Sequence, residues 1–137
     1  VRKWHEAHPD VKLHFFWDKK DAPEKLVVDD TLTLHRINDE QFLHYMENCR
    51  GYITTAGFES VCEALFMNKP VMLIPGQMEQ EINAKDAESI NGGIIGENFD
   101  LSQLLEYMQS KRDFDHVTVK EWILSAEERF IRELTNV

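Results

Sequence analysis

GYITTAGFESVCEALFMNKPVMLIP, residues 51–75, sets two short apolar runs on either side of a helix-length segment. Gly51 to Thr55 has the composition of a strand, and Ala56 and Gly57 turn it. From about Phe58 to Asn68, the residues Val61, Ala64 and Leu65, joined by Phe58, recur at helical spacing. Pro70 stops that segment. Val71 to Ile74 is then apolar without alternation, as in a parallel strand covered on both faces, and Pro75 and Gly76 close it. Strand, helix and strand in this order form a right-handed crossover, the repeating unit of a parallel α/β sheet.

The same alternation extends in both directions. Upstream, Val1 to about His8 is the tail of a helix, Val11 to Trp17 a strand with Val11, Leu13, Phe15 and Trp17 on one face, and Asp18 to Asp30 a polar surface loop. Leu32 to His35 is a second strand. Asn38, followed by Gln41, has capping-box spacing before a helix with Phe42, Leu43, Met46 and Cys49 on its inner stripe. Downstream, a helix from about Glu79 to Ile90 ends at Asn91, Gly92 and Gly93, and Ile94 and Ile95 form a last short strand. Asp100 caps a helix reaching Ser110. Thr118 caps a long terminal helix with Trp122, Ala126, Phe130 and Leu134 four apart on its inner face. The chain opens in a helix with no strand before it. A doubly wound domain keeps that strand near its sheet centre, so the expected fold is a Rossmann-like parallel sheet flanked by helices and lacking its first strand.

Composition agrees with one folded domain, residues 1–137. Its 42% apolar and 10% aromatic residues are too many for a disordered chain. The net charge of −10 argues against duplex DNA or an anionic membrane face as a partner, because both reward clustered Lys and Arg. No apolar run approaches the ~20 residues of a spanning helix, which leaves only peripheral membrane association open. Cys49 and Cys62 are the sole cysteines, both in apolar-periodic segments, and are read as buried, reduced thiols of a cytoplasmic protein. His5 and His8 lie on what reads as a solvated helix end, and His14, His35, His44 and His116 have no ligand spacing. No metal site is expected.

In open α/β sheets ligands gather beyond the carboxyl ends of the strands, where this sequence concentrates its polar residues. Gly57 lets backbone amides approach a ligand at a helix start that favours an anion. Thr55 and Ser60 add hydroxyls. Glu63, one turn deeper, suits a ribose diol, since one carboxylate accepts from two hydroxyls. Past the next strand Gln77, Glu79, Gln80, Glu81 and Asn83 provide acceptors and carboxamides suited to sugar hydroxyls. A capped core helix and ordinary first-turn acids account for each segment taken singly.

Together, Thr55 to Ala64, then Lys69 to Val71, Ile74 with Pro75, and Glu79 to Ala84 resemble the donor-binding half of GT-B glycosyltransferases. The likeness is to the group holding UDP-glucuronosyltransferases and the peptidoglycan UDP-N-acetylglucosamine transferase, and to bacterial members of that broad group. It covers Gly51 to Gly93. The resemblance implies the C-terminal half of a GT-B fold, a fragment of a two-domain hexosyltransferase that moves a sugar from a nucleoside diphosphate sugar, with UDP as the expected carrier, to an acceptor. It assigns the diphosphate to Thr55, Gly57 and Ser60, the ribose to Glu63, the sugar to Glu79 and Gln80, and the base to backbone groups of Arg36 and Ile37. The acceptor and the catalytic base would belong to an N-terminal half absent here, leaving this chain inactive alone, and the nucleotide sugar would be a substrate rather than a cofactor. Thr55 stands where many members have His, Glu59 where they often have Asn, and Lys69 where Gly is usual. Two other readings are a non-hydrolysing nucleotide-sugar epimerase, which the Glu79, Gln80, Asn83 and Ala84 pairing disfavours, and a non-catalytic flavodoxin-like or receiver-like domain.

Overall fold

The structure is a computed structural model and describes residues 1–110 and 117–136. Lys111, Arg112 and His116 lie outside the described residues. The elements follow the expected alternation: α1 (Arg2–Ala7), β1 (Leu13–Trp17), β2 (Lys25–Val27), β3 (Leu32–Arg36), α2 (Asp39–Asn48), β4 (Tyr52–Thr54), α3 (Phe58–Phe66), β5 (Val71–Leu73), α4 (Met78–Ser89), β6 (Gly93–Ile95), α5 (Leu101–Ser110), α6 (Val117–Leu124) and α7 (Ala126–Thr135).

The strands form two three-stranded sheets, ordered β1-β3-β2 and β4-β5-β6. Pairing of β1 with β3, β4 with β5 and β5 with β6 is parallel. Val71, Met72 and Leu73 of β5 are completely buried, as their unbroken apolar run requires. β1 and β4 each keep one unpaired edge, and every residue of both is only half-buried. Among the described residues no strand of one sheet pairs with a strand of the other, which leaves a gap in the pairing between them. Helix α2 spans it: Phe42 meets Phe16 of β1 at 5.3 Å and Tyr52 of β4 at 5.8 Å.

Several expectations need correction. Lys25–Val27 is not loop but an antiparallel edge strand on β3, with all three residues exposed and too short for periodicity to mark. The terminal helix is two helices, broken at Ser125, and Trp122, Phe130 and Leu134 are exposed rather than inward. Arg129 lies over the Trp122 ring at 4.6 Å and donates to the Trp122 carbonyl across the break. Thr118 falls inside α6 instead of capping it. Finally, Phe58 is exposed while Val61, Ala64 and Leu65 fill the core as expected.

Local chemistry explains the element ends. Asn38 accepts from the Gln41 amide at 3.0 Å, the cap its spacing implies. Lys69 Nζ donates to the carbonyls of Glu47 and Cys49 at 2.6 and 3.0 Å. A cation there satisfies carbonyls at the end of α2 and complements its dipole, which accounts for Lys before Pro70. At the other end of the chain Trp4 Nε1 donates to Asp100 and Ser102, tying α1 to the start of α5. His5 is buried instead of solvated: its Nε2 meets Asp29 and the Thr31 hydroxyl, anchoring α1 to the turn before β3. Cys49 and Cys62 are free and half-buried, less enclosed than expected.

Candidate functional site

The turn between β4 and α3 is built by three residues. Ala56 adopts a positive φ of 67°, uncommon for a residue with a side chain, and is completely buried. Asn83, reaching from α4, donates its amide to the Ala56 carbonyl at 3.1 Å and holds the turn in this shape. Gly57 then serves as the N-cap of α3, with an extended φ of −61° and no side-chain cap. The first amides of α3 therefore lack intrahelical partners and point out of the helix start with its positive dipole end.

Gly57 is not required by its own backbone or by crowding. A Cβ there would meet nothing nearer than Ser60 Oγ, at 3.8 Å. The space above the helix start is open. Ser60 Oγ donates to the Gly57 carbonyl at 3.3 Å and lies 3.5 Å from Thr54 Oγ1. Thr54 is thus the hydroxyl beside Ser60, whereas Thr55 is exposed on the turn. The alternation along β4 carried that signal, because Thr54 and Tyr52 share a face and both sit against Ser60.

Glu63 is half-buried one turn further along α3. Its carboxyl is pushed above the usual range, first by burial and then by the charges of Glu59 and Asp39. It has no ion pair or side-chain hydrogen bond among the described residues. Asp39 is the first residue of α2, so that helix start acts on Glu63. Glu59 is exposed.

At the start of α4, Glu79 is exposed, while Gln80 Oε1 accepts from the Gly76 amide at 2.9 Å. Gln80 therefore shapes the turn after β5, keeping only its amide hydrogens for another partner. The structure brings Gly57, Ser60 and Glu63 onto one helix, with Asn83 of α4 fastened to the preceding turn. Arg36 and Ile37 lie elsewhere, at the end of β3. There Glu24, Arg36, Ile37, Asn38 and Gln41 line a shallow pocket crossed by an Arg36–Glu24 ion pair at 3.3 Å. Both backbone donors expected for a base are already used: Arg36 N–H bonds the Glu24 carbonyl and Ile37 N–H the Trp17 carbonyl. This pocket offers side chains and carbonyls instead. Glu24 and Gln41 were not legible as its walls, because β2 was not legible as a strand.

Among the described residues no group of three or more His, Cys, Asp or Glu is placed to hold a metal ion. None of their helices is long and apolar enough to cross a membrane. A family profile described as glycosyl transferase family 1 matches residues 11–110. No curated protein matches the chain.

Proposed function

The chain belongs to glycosyl transferase family 1, and from that premise we propose that it is the donor-binding domain of a hexosyltransferase using a uridine diphosphate sugar. The observation that carries the reading is the uncapped start of α3 at Gly57, with Ser60 beside it and, one turn deeper, Glu63, which has no side-chain partner among the described residues. In this reading the amides of the first turn and Ser60 bind the diphosphate. Glu63 accepts from both ribose hydroxyls, which supply the donors its half-buried carboxylate lacks among the described residues. Thr55 flanks the phosphates from the exposed turn. Glu79 and the free amide of Gln80 meet the sugar. The base occupies the pocket of Arg36 and Ile37, read by side chains rather than by backbone amides.

The acceptor and the catalytic base belong to an N-terminal half of a two-domain bacterial enzyme, which works in the cytoplasm without a resident cofactor. By itself the chain binds a nucleoside diphosphate weakly and transfers nothing.

Glu63→Gln tests the ribose assignment. Loss of a charge-assisted hydrogen bond should weaken UDP binding by about tenfold or more. Because Glu63 titrates above its unfolded value, its ionised form costs the empty fold stability as pH rises through that raised value. The glutamine variant should therefore melt at or slightly above wild type at neutral pH. Unchanged UDP affinity with a lowered midpoint would make Glu63 a structural residue.

Glu79→Ala should weaken binding of a UDP-sugar and leave UDP itself near wild type, because a site shaped for a hydroxyl loses only the ligand that carries one. Equal effects on both ligands, read by ligand-observed NMR, would remove Glu79 from the sugar site. Gln80 is the poorer probe, since its truncation also frees the Gly76 amide.

A further inference from the structure

His14 and His35, 21 residues apart in sequence, meet across β1 and β3 with His14 Nδ1 2.9 Å from His35 Nε2. His35 is 1% exposed, and its other nitrogen, Nδ1, is buried with no partner among the described residues. The rings are packed from both sides: Phe16 stacks on His35 at 4.6 Å, and Tyr45 of α2 lies 4.2 Å from His14 and 4.8 Å from His35. The titratable and charged groups facing the pair are Lys12 before β1, Lys25 on β2, and Tyr45 on α2 with His44 against its ring. Neither imidazole has a carboxylate partner among the described residues.

A hydrogen bond between two neutral imidazoles needs one proton between the facing nitrogens. A first proton taken from solvent onto the pair keeps an N–H···N bond but places a positive charge in a buried ring cluster beside two lysines. A second proton sets two N–H groups head to head and breaks the bond. The consequences reach the neighbouring pocket by two routes. His35 immediately precedes Arg36 and Ile37 and pairs in register with Lys25, next to Glu24. Tyr45, packed on both imidazoles, lies one turn beyond Gln41 on α2.

We propose that the His14–His35 pair is an acid-sensitive latch that holds the pocket of Glu24, Arg36, Ile37, Asn38 and Gln41 in its formed shape and releases it when the pair is protonated. As regulation of a base site, the latch rests on the donor-binding reading; as a local opening of the fold, it does not. Both imidazoles titrate below the ordinary 6.5, chiefly because burial disfavours their charged forms, with mutual repulsion adding to His14 and Lys25 acting on both. The unfolded chain therefore binds protons that the closed latch does not. Stability stored in the latch is complete above pH 6.5 and is lost as pH falls below it.

The test is amide hydrogen exchange of the protein at a series of pH values, corrected for intrinsic rates, beside UDP titrations at the same pH. Protection across residues 32–45 should fall measurably between pH ~7.5 and ~5, while β5 stays protected. His14→Asn keeps a group able to bond His35 but takes up no proton itself, and it should reduce the acid response to the part that His35 alone contributes. His35→Gln serves the same purpose if His14→Asn does not fold. Uniform protection in wild type, or the same acid response in the variant that folds, overturns the latch. Opening with acid in a protein whose UDP signal is absent at every pH keeps the latch and sinks the donor-binding reading. UDP binding that ignores pH while residues 32–45 open overturns the coupling to the pocket.

Discussion

Gly93→Ala is expected to cost about 3 kcal/mol or more, a large share of the ~5–15 kcal/mol that holds an ordinary domain. Gly93 opens β6 and pairs with Val71 of β5, both completely enclosed in the parallel ladder. A Cβ at this position would lie 2.5 Å from the Val71 carbonyl oxygen and 3.1 Å from Leu73 Cδ1. The oxygen belongs to the backbone of the most buried strand and cannot rotate away. Relief requires moving β6 from β5, which sacrifices pairing and opens the core around Leu73 and Ala87. The contrast is Gly51, whose nearest obstacle is the flexible end of Met108 at 2.9 Å. Chemical denaturation should therefore show Gly93→Ala with a much lower midpoint than Gly51→Ala. Comparable midpoints would mean that the close approach of β5 and β6 is not what requires glycine.

Gly57→Val is expected to act in the opposite sense, removing ligand binding while sparing the fold. The extended φ of −61° is open to any residue, and the site is free of neighbours below 3.8 Å. An apolar N-cap in place of glycine costs up to about 1 kcal/mol. The branched side chain, however, would occupy the space over the first-turn amides of α3. Phosphate oxygens need contact distance to those amides, and two methyl groups exclude them. UDP binding should fall below detection with little change in the thermal midpoint. A large fall in both would show that Gly57 is needed by the fold, and unchanged binding would move the diphosphate away from α3.

Much of this fold was legible because its signals are local. Pro70 and Pro75 bracket β5, Asn38 and Asp100 mark two helix starts, and Val71 to Leu73 can only be covered on both faces. What escaped depends on contacts between distant residues. Nothing near Leu26 announces that Lys25–Val27 pairs with β3. The spacing of Trp122, Phe130 and Leu134 describes an inner face only if the helix is unbroken, and Ser125 breaks it. His5 and the His14–His35 pair find their partners across 24 and 21 residues. The candidate site divides in the same way. Ser60 and Glu63 share a helix, so their spacing fixes their relation. The role of Asn83 in shaping the turn emerges only once α4 reaches the end of β4.

The most direct test of the donor-binding account is a titration of UDP, and separately of uridine, into the wild-type protein and Gly57→Val by ligand-observed NMR. The account predicts that wild type prefers UDP over uridine by about tenfold or more, the worth of at least one charge-assisted hydrogen bond to the diphosphate. It further predicts that Gly57→Val, still folded, loses that preference. Equal binding of UDP and uridine to wild type, or a preference that survives in Gly57→Val, would contradict it.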